Sequence, residues 1–190
     1  MCILYHKSQR MTILRRRGVI FVTSVFARLE YADGMKKIFL STSFSHVINA
    51  DTGKVLPDFR SKIEQILHSL RSEARVTVYC DMEAEKWKMP NGMPERGLSK
   101  DMTALNEADL LLALVEEHPS VGVEFEIGYM AAKDKPIILA MRAGGHLATF
   151  NQGLVSAGIV TLITYDDASS LARQLAIAVN APEDELAGTT

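Results

Sequence analysis

Apolar positions along the chain switch repeatedly between two spacings, and the switching lays out strands and helices in alternation. Short apolar runs bounded by polar or Gly- and Pro-containing stretches read as strands over 37–42, 76–80, 109–115, 136–141 and 159–165. In the third of these, Leu110 to Val115 is apolar at every position, the pattern of a strand buried on both faces. Between the runs the spacing lengthens to three and four residues. Phe59, Ile63, Ile66, Leu67 and Leu70 fall on one face of a helix predicted over 58–71, with Pro57 suited to its first position. Further helices are predicted over 101–107, 123–133 and 168–179. The stretch 44–56 reads as a long polar connection turning at Gly53. Residues 81–98, rich in Met, Pro and Gly, read as an irregular loop of the length that lids and binding loops have. The polar, Gly-rich stretch 142–152 reads as a second loop. Strands alternating with helices give an α/β fold with a doubly wound parallel sheet. It forms one domain over 35–180, with a polar tail at 181–190.

The first 34 residues follow another pattern. Arg15, Arg16 and Arg17 precede an apolar stretch over 18–27, superficially the charged and apolar regions of a signal peptide. The basic patch sits far from the first residue, and no small-x-small cleavage site follows. The expectation is an N-terminal extension upstream of a natural start at Met35. An ordered extra element and a targeting segment are the alternatives.

Composition narrows the function. With 190 residues, 47% hydrophobic and 23% charged, the chain has the makings of one globular core. A net charge of −2 argues against a nucleic-acid partner, which a basic surface would serve. No apolar run approaches the 18 or more residues of a membrane span, so no membrane partner is expected. Two cysteines, Cys2 and Cys80, without C-x-x-C spacing fit a reducing, cytoplasmic setting. The five histidines form no metal-ligand spacing, and neither a metal nor another cofactor is expected.

The candidate chemistry gathers after the third predicted strand. There Ser120, Gly122 and Glu126 lie on a tight loop running into a helix, just past the carboxyl end of a central strand, where such sheets bind ligands. A helix N-terminus in that place offers free N–H groups to an anion. Glu126 would be a carboxylate at an anion-ready loop, with Asp101 approaching from the preceding helix. The plain alternatives are first-turn carboxylates favoured by the helix dipole for Glu124 and Glu126, and ordinary helix-start composition for Asp101. Asp109, at a strand start, reads as structural.

Taken in order, several segments resemble the nucleoside 2-deoxyribosyltransferase superfamily over roughly residues 35–178. They are Lys37-Ile-Phe39-Leu-Ser-Thr-Ser43-Phe44, Asp101, the strand start at Ala108-Asp109, and Pro119-Ser120-x-Gly122-x-x-x-Glu126-x-Gly128. The likeness is greatest to the nucleoside 5′-monophosphate N-glycosidases. Residues 49–55 and 77–87 resemble the CMP and hydroxymethyl-CMP hydrolase branch in particular. The resemblance implies a five-stranded, flavodoxin-like strand order. It implies Glu126 as the nucleophile that captures C1′ of the sugar, and Asp101 as the carboxyl that protonates the leaving base or orients Glu126. It further implies a phosphate-side loop at Ser43 and Phe44.

Deoxyribosyltransferases acting on unphosphorylated nucleosides carry an aspartate where Ser120 stands. A hydroxyl there, with the bare N–H of Gly122, suits a 5′-phosphate that a carboxylate would repel. Against this, the monophosphate hydrolases carry an arginine after the position of Phe44, and here Ser45 stands there. Phe39 matches the phenylalanine of the CMP hydrolases and not the tyrosine of the deoxynucleotide hydrolases; a buried strand aromatic is the plain alternative. Trp87 and Tyr79 would stack a base or plug the core. Met82, Met89 and Met93 would line a base pocket or cover the core. The resemblance also implies a homodimer or higher homo-oligomer in which 142–152 reaches a neighbour's site, Thr149 offering the hydroxyl.

The expected function is therefore hydrolysis of the N-glycosidic bond of a nucleoside 5′-monophosphate, CMP-like, to free base and sugar 5-phosphate. The alternatives are a deoxyribosyltransferase moving the sugar between bases, and a non-catalytic nucleotide-binding module.

Overall fold

The computed structural model describes residues 12–16, 19–23, 35–43, 46–73, 76–88, 94–115 and 120–180. Five parallel strands form the central sheet: β3 (Lys36–Ser41), β4 (Val76–Cys80), β5 (Leu110–Val115), β6 (Ile137–Arg142) and β7 (Thr161–Tyr165). Their spatial order is β4-β3-β5-β6-β7. This is the α/β, doubly wound sheet expected, in the flavodoxin-like order. The order reverses about β3, whose two neighbours are β4 and β5, so the carboxyl ends of β3 and β5 form the switch point at which open sheets of this kind bind ligands. Within the leader, β1 (Thr12–Arg16) and β2 (Val19–Thr23) pair as a separate antiparallel ribbon. The remaining leader residues and the tail at 181–190 lie outside the described residues.

Alternation along each strand sorts side chains onto two faces, because successive Cβ atoms point opposite ways. Ile38, Leu40, Leu110, Leu112 and Leu114 join Ile63, Ile66 and Leu70 of α1 (Pro57–Glu73) and Leu171 and Leu175 of α6 (Ala168–Asn180). Phe39, Leu111, Ala113, Val115, Ile137 and Leu139 face the other way. They pack on Leu105 of α3 (Pro94–Glu107), on Val123, Ile127 and Met130 of α4 (Val121–Ala132), and on Leu154 of α5 (Thr149–Ser156). The unbroken apolar run of β5 thus feeds both cores at once. Asp109 fastens the opposite end of the sheet: its Oδ2 accepts from Lys37 N at 2.7 Å, and its own N–H donates to Lys37 O at 2.7 Å. Its structural reading agrees with that.

Two stretches differ from the sequence expectation. A single helical turn, α2 (Asp81–Ala84), opens the stretch read as irregular, and α3 begins at Pro94 within it. Proline suits a first helical turn, where its missing N–H costs nothing, and the pattern of 81–98 concealed that use of it. The polar, Gly-rich stretch 142–152 is a loop only to Ala148; Thr149 begins α5. The helix carries Gly153 in its interior and lacks a capping side chain at Ala148, so neither start nor body signalled itself.

Candidate active site

β3 and α4 meet at the switch point through two side chains 85 residues apart in sequence. Ser41 is the last residue of β3 and lies on the same strand face as Phe39, the face covered by α3 and α4. Its Oγ donates a short hydrogen bond to Oε2 of Glu126 on α4. On the neighbouring strand, Tyr79 pairs with Phe39 in register, their rings 5.3 Å apart. The Tyr79 hydroxyl donates to Oδ1 of Asp101 on α3 at 2.8 Å. Each carboxyl therefore has its own hydroxyl donor.

The electrostatics follow from partial burial. Burial pushes the Glu126 carboxyl up to about 7; the Ser41 hydrogen bond opposes the rise and the charge of Asp101 adds to it. Asp101 is also raised, by burial first, with the Tyr79 hydrogen bond lowering it and the charge of Glu85 raising it. A third carboxyl stands with them. Asp81, the first residue past β4, is held well above the usual range by burial and then by the charge of Glu126, while the Met82 N–H donates to its Oδ1 at 2.7 Å. Three carboxyls facing one another in a half-dry site cannot all be ionised cheaply, so one is available as an acid while another stays charged. Among the described residues, no group of three or more His, Cys, Asp or Glu is arranged to hold a metal ion.

The N-terminus of α4 forms the adjoining wall. Ser120 stands at the N-cap with extended backbone, φ −106° and ψ 132°, but its side chain makes no cap hydrogen bond. The amides of the first turn have no acceptor within the helix. Among the described residues, a Cβ built on Gly122 would meet only Ser120 Oγ, at an ordinary 3.7 Å. The fold itself thus has no steric need for glycine at that position. Just past β3, the hydroxyls of Thr42 and Ser43 are buried with no hydrogen-bond partner among the described residues, Ser43 being only 3% exposed. A buried hydroxyl without a partner is costly, so these two are polar groups at this end of the sheet that the described residues leave unsatisfied.

Of the residues expected from sequence, Glu126 and Asp101 come together, and Ser120, Gly122 and Ser43 line the same end of the sheet. Phe39 does not offer itself to a ligand: it is fully enclosed at 0% exposure and serves as the floor under Tyr79. Trp87 packs elsewhere. It leans on the core shared with α1, with the Arg60 guanidinium 5.1 Å over its ring, because its backbone is tied to Met82 O at 2.7 Å and to Val55 N at 3.0 Å. Thr149 is exposed at the start of α5, and Phe44 and Ser45 lie outside the described residues. Sequence reasoning passed over Ser41, whose signal was its place two residues after Phe39, and Asp81, whose signal was its place one residue past a strand. It also passed over Asn151, buried on α5, whose Nδ2 donates to Glu124 Oε1 at 2.8 Å and ties α5 to the first turn of α4.

Comparison with known proteins agrees with this architecture. A family model described as nucleoside 2-deoxyribosyltransferase matches residues 43–168. Over 84 residues the chain is 33% identical to the Thermofilum pendens protein named "Putative 2′-deoxynucleoside 5′-phosphate N-hydrolase 1". That match takes in 43% of this chain and 58% of the relative, so the chain spans little more than half the length of this curated protein. Among solved structures, BlsM superposes with a TM-score of 0.66 at 22% identity, covering 83% of this chain and 97% of that one. The CMP N-glycosidase BcmB of Clostridium botulinum gives a TM-score of 0.52 at 22% identity, covering 74% and 98%. The 2-deoxyribosyltransferase of Bacillus psychrosaccharolyticus gives 0.51 at 19%, covering 79% and 95%. At these identities the superpositions speak for the fold.

Proposed function

The chain belongs to the nucleoside 2-deoxyribosyltransferase family, and from that premise we propose that it hydrolyses the N-glycosidic bond of a nucleoside 5′-monophosphate. Glu126 attacks C1′ as the base departs, giving a glycosyl ester on the enzyme. Asp101, on the neighbouring helix and within the charge field of Glu126, gives the leaving base its proton. Water then opens the ester, its hydroxyl going to C1′ and its proton to the carboxylate that acted as acid. The observation that carries the reading is the pair of neighbouring carboxyls, each held by a separate hydroxyl donor, beside the uncapped N-terminus of α4.

The 5′-phosphate would lie against the first-turn amides of α4, the Ser120 hydroxyl and the Ser43 hydroxyl, which has no partner among the described residues. The name of the Thermofilum pendens relative, a nucleotide hydrolase, supports a phosphorylated substrate. A pyrimidine base, cytosine-like, rests on the resemblance of 49–55 and 77–87 to the CMP hydrolases. A homo-oligomer, with 142–152 near a neighbour's site, rests on resemblance alone. One observation favours a second reading, sugar transfer between bases: Ser45 stands where an arginine would clamp the phosphate in the hydrolases.

The test is release of free base from a panel of nucleotides and nucleosides, with wild type and Glu126→Gln side by side. Nucleotide cleavage should fall by at least about a thousandfold in the variant while nucleotide binding persists. Turnover within tenfold of wild type would sink the nucleophile assignment. Because Glu126 must be ionised to attack, kcat/KM should drop as pH falls through about 7.

A further inference from the structure

Ser41 holds a position that a strand terminus does not by itself require. It is 1% exposed, and its hydroxyl is spent on Glu126 and not on the backbone. We propose that Ser41 is a positioning residue for Glu126: its hydroxyl anchors Oε2 and thereby leaves Oε1 aimed outward to attack. This rests on the reading of Glu126 as nucleophile.

A glutamate has three rotatable bonds, and a nucleophile that must meet C1′ along one line gains from having them fixed. The anchor comes from β3 and the carboxylate from α4, so the bond fixes the side chain against the sheet and not merely against its own helix. Phe39, the preceding residue on that strand face, carries no hydroxyl, and Tyr79 next to it is committed to Asp101. The groups facing Glu126 from the packed elements are of like sign. Asp101 comes from α3 and Asp81 from the β4–α2 junction; further out, Glu85 and Lys100, themselves 3.5 Å apart, act on Asp101 with opposite signs. Among the described residues, Ser41 supplies the favourable contact that opposes them. Removing it leaves a half-buried carboxylate one donor short, which favours the protonated, non-nucleophilic form.

The experiment compares wild type, Ser41→Ala, Ser41→Cys and Ser41→Thr in the full chain by two measurements. The first is the pH dependence of base release from nucleoside 5′-monophosphates. The second is the carbon-13 NMR titration of the glutamate carboxyls, the Glu126 signal being identified by its loss in Glu126→Gln. Ser41→Ala should move the acid limb of kcat/KM and the Glu126 titration upward together, by about one to two pH units. At pH 6 the loss should be about tenfold or more, expressed in kcat; at pH 9, where the carboxylate is ionised in both proteins, it should shrink to a residual of about threefold that reports the freed side chain alone. Ser41→Cys, with its weaker donor, should move both the same way by less, and it stands in if the alanine variant does not fold. Ser41→Thr, which keeps the hydroxyl, should return the limb to within about half a unit. A loss equal at every pH, with the Glu126 titration unmoved, would overturn the role of Ser41. A wild-type chain that releases no base overturns the hydrolytic reading, and the titration still decides the Ser41–Glu126 coupling separately.

Discussion

Glu126 sits where no folding requirement would put it. Its carboxyl is raised to about 7 by burial, with Asp101 adding to the rise. Between the ionisation of a free glutamate and that value, the folded chain keeps a proton that the unfolded chain releases, so stability falls as pH rises through this window. Glu126→Gln should therefore stabilise the protein at pH 8, by up to about 3 kcal/mol, and change little at pH 4. Denaturant unfolding at the two pH values checks this; an equal effect at both would place the cost elsewhere. Under the proposed mechanism, the same buried charge that destabilises the fold is what makes the carboxylate reactive. Glu126 and Asp101 were legible in the sequence because a loop–helix spacing and a helix feeding an apolar strand fix where they stand. Ser41 was not, because a serine closing a strand looks like loop composition until the partner strand and helix are in place. For Phe39 and Trp87 the sequence left two readings open, ligand contact or packing, because which way each ring faces depends on register and on backbone ties that composition does not carry.

At the scale of elements, α4 is where the sequence spoke most clearly, since a glycine-containing loop before a helix has few other uses at the end of a buried strand. Its first turn yields a sharp expectation. If Ser120 and Gly122 hold a 5′-phosphate, Ser120→Asp sets a negative charge against a dianion. Like charges some 4 Å apart cost on the order of 4 kcal/mol per pair at an effective dielectric of about 20. Nucleotide turnover should then fall by well over about a hundredfold, and turnover of the matching nucleoside should be spared or improved. An unchanged ratio of the two substrates would favour sugar transfer on nucleosides instead. The two loop-like stretches misjudged from sequence both conceal helices with weak local signals. α3 starts on a proline, and α5 has a glycine inside it. Packing against the sheet, through Leu105 and Leu154, holds what propensity alone would not.

For the whole molecule, alternation of spacing gave the strands and their layers, whereas the strand order came from the resemblance, because periodicity says nothing about which strands are neighbours. The outer surface of the site-bearing layer is apolar in a way the described fold does not use: Val121 is 88% exposed, Phe150 59% and Phe125 51%. An association of like chains would cover such side chains. Light scattering should give a mass that is a multiple of 21.0 kDa, and Phe125→Glu with Phe150→Glu should reduce it toward a single chain. A fully active single chain would rule the assembly out. A last consequence lies in the idle cap of α4. Replacing an N-cap serine ordinarily costs a helix about 1 kcal/mol, but Ser120 contributes no cap bond to lose. Position 120 can therefore change without the fold resisting, so a lineage could try new substrates there and keep or discard each on its chemistry alone.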